Sequence, residues 1–407
     1  MSDRYDVILY GATGFTGQQT ARYFAARAPA GLRWAVAGRN RARLDEVARE
    51  SGAVGRVVAD SRDPAAVDAM VHQARVILTT AGPFSKYGTP VVDACVRHGV
   101  DYVDITGETW WVRELIDRYH DEAARRGTRI VPFCGFDSVP SDVGTLFLVD
   151  HLRRAGSGGV RLVSTSFTMR GGLNGGTLDT MLTMQEEGKE REVADPVLLN
   201  PAGRQSDEER ARSRDLRSVV RDPERGVWLA PFVMASINTR VVRRSNALFA
   251  GYDRPYGRSF TYREAAEFRR RSKAVAMAAS LGLVYGLVRK SWGRRMVRWL
   301  GPDPGDGPSE KTMDEGFFRC RLLGEGEDGR RALATLSFQG DPGNRATVAM
   351  LCESALLLCG PRDALPGGAE RGGVLTPATA LGLPLLERLR TAGLTAAVED
   401  LPQAARP

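Results

Sequence analysis

The sequence predicts an α/β protein: an N-terminal doubly wound parallel sheet, followed by a second, mixed α/β domain. Three observations predict it. From Asp6 to about Phe133, short apolar or β-branched runs alternate with helix-length amphipathic stretches, the rhythm of βα units joined by right-handed crossovers. After Gly135-Phe136-Asp137-Ser138-Val139-Pro140 that rhythm gives way to longer, less regular segments. The chain has 407 residues, more than one ordinary core holds and enough for two domains. We place the boundaries at 1–135, 136–360 and a C-terminal segment, 361–407.

Taken in order, the strand candidates of the first domain are Val7-Ile8-Leu9-Tyr10, Trp34-Ala35-Val36-Ala37, Val57-Val58-Ala59, Val76-Ile77-Leu78-Thr79, Tyr102-Val103-Asp104 and Ile130-Val131-Pro132. Helices are expected to begin near Gly14, Arg41, Asp63, Gly88 and Trp110. In the second domain, 160–170 and 332–339 read as strands of a mixed sheet. The very polar stretch 185–225 reads as a surface helix pair or a mobile flap. The stretch 301–308, rich in Gly, Pro and Asp, reads as an exposed loop. Thr376-Pro377 marks a helix start, and apolar residues at helical spacing predict a closing helix over 376–392.

Apolar residues make up 43% of the chain and charged ones 26%, which excludes a disordered or fibrous protein. Met1-Ser2-Asp3-Arg4-Tyr5-Asp6 runs straight into a strand with no basic and apolar leader, so a cytoplasmic location is expected. The five cysteines form no CxxC pair and the four histidines are dispersed, so reduced thiols and no metal site are expected. The formal charge of +8 favours acidic partners such as phosphates, anionic lipid or an acidic carrier protein; no nucleic-acid partner is expected. Much of that charge lies in 269–298, where nine Arg and Lys residues and no acid flank an apolar run, 274–288. The run is shorter than the roughly 20 residues a spanning helix needs. It reads either as an interfacial helix on an anionic membrane, with Trp292 and Trp299 at headgroup level, or as a helix packed in the second domain or a dimer interface.

Gly11-Ala12-Thr13-Gly14-Phe15-Thr16-Gly17 follows the first strand and opens a helix. Small residues there let the backbone turn tightly and approach a pyrophosphate, whose charge is favoured by the free amides at the helix start. In that context the motif predicts a Rossmann dinucleotide site, the alternative being a glycine-rich turn with no ligand. Ala37-Gly38-Arg39-Asn40 closes the second strand, where an NAD site usually carries an acid on the ribose. Arg39 suits the 2′-phosphate of NADP instead, with Arg43 one turn later, unless it is simply a solvated arginine. Asp60, closing the third strand, stands either at the adenine edge or as an exposed turn acid. The loop after the fourth strand, Thr79-Thr80-Ala81-Gly82-Pro83-Phe84-Ser85-Lys86-Tyr87-Gly88, should lie near nicotinamide. Ala81, Gly82 and Pro83 allow close backbone approach, and Lys86 and Tyr87 are able to donate a proton or polarise a carbonyl, though Phe84 and Tyr87 equally suit a wall. Asp104, Glu108, Asp137 and Ser138 either contact substrate or cap helices.

Together with Tyr102-Val103-Asp104-Ile105-Thr106-Gly107-Glu108 and Cys134-Gly135-Phe136-Asp137-Ser138-Val139-Pro140-Ser141-Asp142, these motifs give a chain that resembles the saccharopine dehydrogenase-like oxidoreductases, and among them the actinobacterial trans-acting enoyl reductases. Gly372-Gly373-Val374-Leu375-Thr376-Pro377-Ala378 is similar to that family's C-terminal signature, so the resemblance spans nearly the whole chain. It implies an NADP-binding Rossmann domain, a mixed α/β domain and a C-terminal helix returning to the first domain. It also implies reduction of an enoyl double bond in an acyl or lipid intermediate, carrier-bound on a partner polyketide synthase. In such a reduction hydride goes to the β-carbon while the thioester oxygen gains enolate charge; Lys86, Tyr87 and Ser138 are the candidates to meet that charge. A homodimer and a place at the inner face of the plasma membrane are compatible with this reading. The competing readings are a saccharopine-type amino-acid dehydrogenase and a non-catalytic NADP-binding protein at a lipid surface.

Overall fold

Strand β1 (Tyr5–Tyr10) is apolar and buried from Val7 to Tyr10, and β2 (Trp34–Gly38) is buried from end to end, the composition of parallel strands covered on both faces. Five more strands complete the first sheet: β3 (Gly55–Val58), β4 (Ala74–Thr79), β5 (Asp101–Val103), β6 (Arg129–Val131) and, from far down the chain, β13 (Gly373–Val374). Their order is β13-β6-β5-β4-β1-β2-β3, with every neighbouring pair parallel. The strand order reverses between β1 and β4, so ligands are drawn to the crevice above their carboxyl ends. The computed structural model describes residues 4–172, 182–203, 205–300 and 307–403. Of the glycine- and proline-rich stretch 301–308, residues 301–306 lie outside the described residues, as do Met1 to Asp3 at the N-terminus and position 204 in the polar stretch.

The helices between these strands start and stop on local signals. Asn40 accepts from the Arg43 amide at 3.1 Å to cap Arg41–Ser51. Asp63 caps Pro64–His72, with proline in the first turn. Gly52 and Gly99 end their helices in the left-handed region, which glycine enters without strain.

The second sheet contains β7 (Val160–Arg170), β8 (Val220–Asp222), β9 (Val227–Ala230), β10 (Thr261–Phe268), β11 (Phe317–Gly326), β12 (Arg331–Gln339) and β14 (Thr395–Leu401). Its order is β14-β12-β11-β7-β10-β9-β8, and only β7 and β10 run parallel. Helix Val139–Arg154 lies on this sheet against β11 and β12, whereas helix Thr347–Leu358 packs on the first sheet against β4 and β5. One apolar core runs continuously through both, from Val7 and Leu9 past Phe136 and Leu351 to Phe318 and Leu336.

The C-terminus returns to the first sheet as strand β13, which pairs with β6, and as helix Pro377–Ala380, which touches β6. The expected closing helix is broken at Leu381 into Pro377–Ala380 and Gly382–Thr391, with Gly382 at φ +60°, and the second piece lies between helices Val139–Arg154 and Thr347–Leu358. Arg129 fastens this return. Its buried guanidinium donates to the carbonyls of Ala380, Pro366 (3.1 Å) and Gly368 (2.6 Å). Arg129→Ala strands one buried and two partly buried carbonyls and is expected to cost about 2 to 3 kcal/mol, seen as a lower melting temperature with the NADPH affinity of the folded protein retained.

The polar stretch 185–225 is more firmly held than its composition suggests. Val193, Val197, Leu198 and Leu199 are buried. Arg113, Arg240, Arg243 and Arg244 donate to carbonyls between Val193 and Asn200. Arginines on neighbouring helices supply the hydrogen bonds that apolar packing would otherwise replace, a pairing invisible to a local hydropathy reading.

Candidate NADP site and interdomain cleft

The glycine motif forms the turn from β1 into helix Phe15–Arg27. Gly11 has φ +87°, and a β-carbon on it would lie 2.8 Å from the Ala81 amide and 3.0 Å from the Thr80 hydroxyl. The two loops flanking the crevice therefore touch at Gly11 and Ala81. A β-carbon on Gly17 would sit 2.1 Å from the Gly11 carbonyl oxygen, so the helix can start this close to the turn only with glycine there. Gly14 occupies the cap position with no side-chain cap, and the first turn, Phe15-Thr16-Gly17, carries no acid. A helix start without a resident anion, reached over a floor of glycine, fits a pyrophosphate. Thr13 sits half-buried beside Gly38. Phe15 meets Gly307, and Arg22 pairs with Glu310 at 3.2 Å, so the segment before β11 lies against helix Phe15–Arg27.

At the end of β2, Arg39 is exposed and stands within electrostatic range of Asp60 and Tyr10. Asp60 is engaged by Arg62, at 2.8 and 3.2 Å through its guanidinium, and those bonds hold its carboxyl down at about 2. Asn40 spends its side chain on the helix cap. Arg39 thus stands at this corner as a candidate for a 2′-phosphate, as does Arg43 one turn along the following helix, with the Asp60–Arg62 pair beside Arg39. Tyr10, whose hydroxyl reaches Ser61, was not singled out from the sequence; only its place as last residue of β1 could have marked it. If Arg39 holds the 2′-phosphate, Arg39→Ala weakens NADPH by about 10- to 100-fold while leaving NADH nearly unchanged; equal weakening of both, measured by titration, removes that role.

The loop after β4 carries Ala81, Gly82 and Pro83 to the crevice, with a cis bond between the last two. Lys86 and Tyr87 lie on the short helix Phe84–Tyr87 that follows, Lys86 exposed and Tyr87 half-buried. Glu108 holds that helix: its buried carboxylate accepts from the amides of Phe84 at 2.8 Å and Ser85 at 2.7 Å. Asp104 has the same fate, accepting from Tyr102 at 2.8 Å, from the Thr106 amide at 3.0 Å and from the Phe133 amide at 3.2 Å. Burial pushes it up to about 7. Phe133 has φ +67°, a strained conformation for a bulky residue, and Asp104 steadies it just before the turn that carries Asp137.

Ser138 is buried, its hydroxyl donating to Asn238 at 3.3 Å. Asn238 in turn donates to Glu264 at 2.6 Å, and Tyr262 and Ser141 donate to the same carboxylate at 2.8 Å each. Burial raises Glu264 to about 7. This network ties β10 and helix Ala235–Gly251 to the start of helix Val139–Arg154. Asp142 caps Pro377–Ala380 through the Ala378 amide at 2.8 Å. Asp137 differs from all of these: among the described residues its carboxyl has no hydrogen-bond partner, and burial pushes it up to about 6. Of the four groups for which sequence left capping and substrate contact open, Asp104, Glu108 and Ser138 are committed to the protein and Asp137 is not. Among the described residues no three metal-ligating side chains gather.

A family model described as the saccharopine dehydrogenase NADP binding domain matches residues 7–131. A trans-acting enoyl reductase from Mycobacterium tuberculosis is 39% identical over 412 residues, 96% of each chain. One from Mycobacterium ulcerans is 38% identical over 422 residues, 98% of each chain. Among solved structures, apo saccharopine dehydrogenase (L-Glu forming) from Saccharomyces cerevisiae matches with a TM-score of 0.54 at 14% identity, over 97% of this chain and 100% of that one, a likeness of fold.

Proposed function

Because the chain belongs to the family of the trans-acting enoyl reductases, on the saccharopine dehydrogenase fold with an NADP-binding first domain, we propose that it reduces an enoyl double bond of an acyl chain with NADPH. The observation that carries this reading is the likeness to those reductases over 96% or more of both chains, which includes the second domain as well as the cofactor turn. The acyl chain is held as a thioester on a carrier domain of a partner polyketide synthase. A positive chain of +8 suits an acidic carrier.

Bound NADPH would supply hydride to the β-carbon of the enoyl group. The Gly11 to Gly17 turn and the start of helix Phe15–Arg27 would hold its pyrophosphate, Arg39 its 2′-phosphate, and the backbone of Ala81, Gly82 and Pro83 would border its nicotinamide. Lys86 and Tyr87, on the short helix after the β4 loop, would meet the negative charge that develops on the thioester oxygen. Asp137 would deliver the proton that the α-carbon takes up, since its carboxyl is uncommitted and shifted toward neutrality. Ser138 would position rather than react, fixing the turn through Asn238.

The test is NADPH oxidation by the purified chain with enoyl thioesters on a carrier protein and on a small-molecule thiol. Turnover with the enoyl chain, faster on the carrier, is the expected result. Turnover only with an amino acid and keto acid pair would place the chain with the amino-acid dehydrogenases instead, and tight NADPH binding with no turnover on either would leave a non-catalytic binder.

A further inference from the structure

We propose that the helix hairpin 271–300 docks the protein on the surface of a bilayer containing anionic phospholipid. The two helices are Arg271–Val288 and Ser291–Leu300. The first touches β9 and β10 and buries Ala274, while Val288 packs with Leu182 and the half-buried Val284 and Val297. Its other face is exposed and consists of Val275, Ala276, Ala279, Gly282, Leu283 and Gly286, positions that fall together at helical spacing. A helix lying on a water-soluble protein ordinarily turns its polar side outward. Here, beyond Arg271 and Lys273 in the first turn, the outward side carries no charge.

The second helix continues the surface. Trp292, Met296 and Trp299 share one stripe, Arg294 and Arg298 the opposite one, and Arg295 flanks the aromatic stripe. Leu283 is 65%, Trp292 54% and Trp299 82% exposed. Large apolar side chains so placed are rare without a partner. The cations sit at the two ends of the first helix and along the second, with no acid between 269 and 298; only some are engaged within the chain, as Arg298 is with Glu186 at 3.2 Å.

Charge selects the occupant. In a symmetric dimer the same patch meets itself, which would press nine cations against nine like charges. An anionic lipid surface neutralises them while the apolar face and indoles enter the headgroup boundary, to a depth of about 5–10 Å. No helix among the described residues is long and apolar enough to cross a membrane, so the hairpin would lie in the surface plane. This inference does not depend on the reaction the chain catalyses.

The experiment is flotation of the full chain with phosphatidylcholine vesicles, alone and mixed with phosphatidylglycerol. The expected partition onto the mixed vesicles is at least about tenfold stronger and falls with added salt. The double variant Leu283→Glu/Trp299→Ser should lose it while binding NADPH as the parent does, which shows that it folds. A second variant, Arg289→Gln/Lys290→Gln/Arg295→Gln, should lose only the preference for anionic vesicles. Equal or absent partition onto the two vesicle types, or partition undiminished in the variants, overturns the proposal. So does a concentration-dependent dimer that the same double variant abolishes, with no vesicle binding.

Discussion

Gly17→Ala is expected to lower NADPH affinity by at least about 100-fold, close to 3 kcal/mol, in a chain that still folds. The added β-carbon would stand 2.1 Å from the Gly11 carbonyl oxygen, and 2.8 and 2.9 Å from Ala12 backbone atoms. All of these are backbone, so no side-chain rotation relieves the overlap and the turn must move away from the helix. In the proposed binding mode that turn sets the floor for the pyrophosphate, and the helix start supplies its amides. A shift of an ångström there separates the phosphate from several hydrogen bonds at once. The effect should fall on NADPH and NADH alike, unlike that of Arg39→Ala, because both carry the pyrophosphate. Fluorescence titration of the nucleotides, with circular dichroism to check the fold, measures it. Retained affinity in a folded Gly17→Ala protein would mean that the cofactor lies elsewhere.

The second large effect is expected at the carboxyl end of the first sheet. Asp137→Asn should leave nucleotide affinity unchanged and reduce kcat by about 100- to 1000-fold. The asparagine keeps the shape and cannot give up a proton. The pH profile separates this role from a structural one. A proton donor must be protonated to act, and burial has raised its pKa to about 6, above the usual range for an aspartate. The parent kcat should therefore fall as pH rises through that value, and the variant should be slow at every pH with that limb gone. A variant that keeps both its rate and the alkaline decline would show that the proton comes from another group, with Tyr87 next to be tested.

Strands β1 to β6 were legible in the sequence because they are short apolar runs separated by helix-length amphipathic stretches; Asn40, Asp63 and Pro64 at helix starts and Gly52 and Gly99 at helix ends are the local signals that the fold adds. The cofactor turn was legible for the same reason. What was not legible depends on distant partners. Strand β13 is two residues long and joins β6 from more than 240 positions away. The anchoring of 193–200 rests on arginines from two other helices. The fates of Asp104, Glu108 and Asp137 were indistinguishable as letters, since each follows a short strand. Only the fold shows two of them turned onto backbone amides and the third left uncommitted. The outward apolar face of 271–288 belongs here too, because hydropathy marks the run but not which side is covered.

The central claim is transfer of hydride to an enoyl carbon, and isotope transfer tests it most directly. The chain would be mixed with NADPH deuterated on its nicotinamide ring and an enoyl thioester on its carrier, and the acyl product analysed by mass spectrometry. The predicted product is the saturated chain with one deuterium at the β-carbon, formed in step with NADPH loss. A bound but unconsumed nucleotide with the double bond intact, or deuterium appearing only in an amino-acid product, would contradict it.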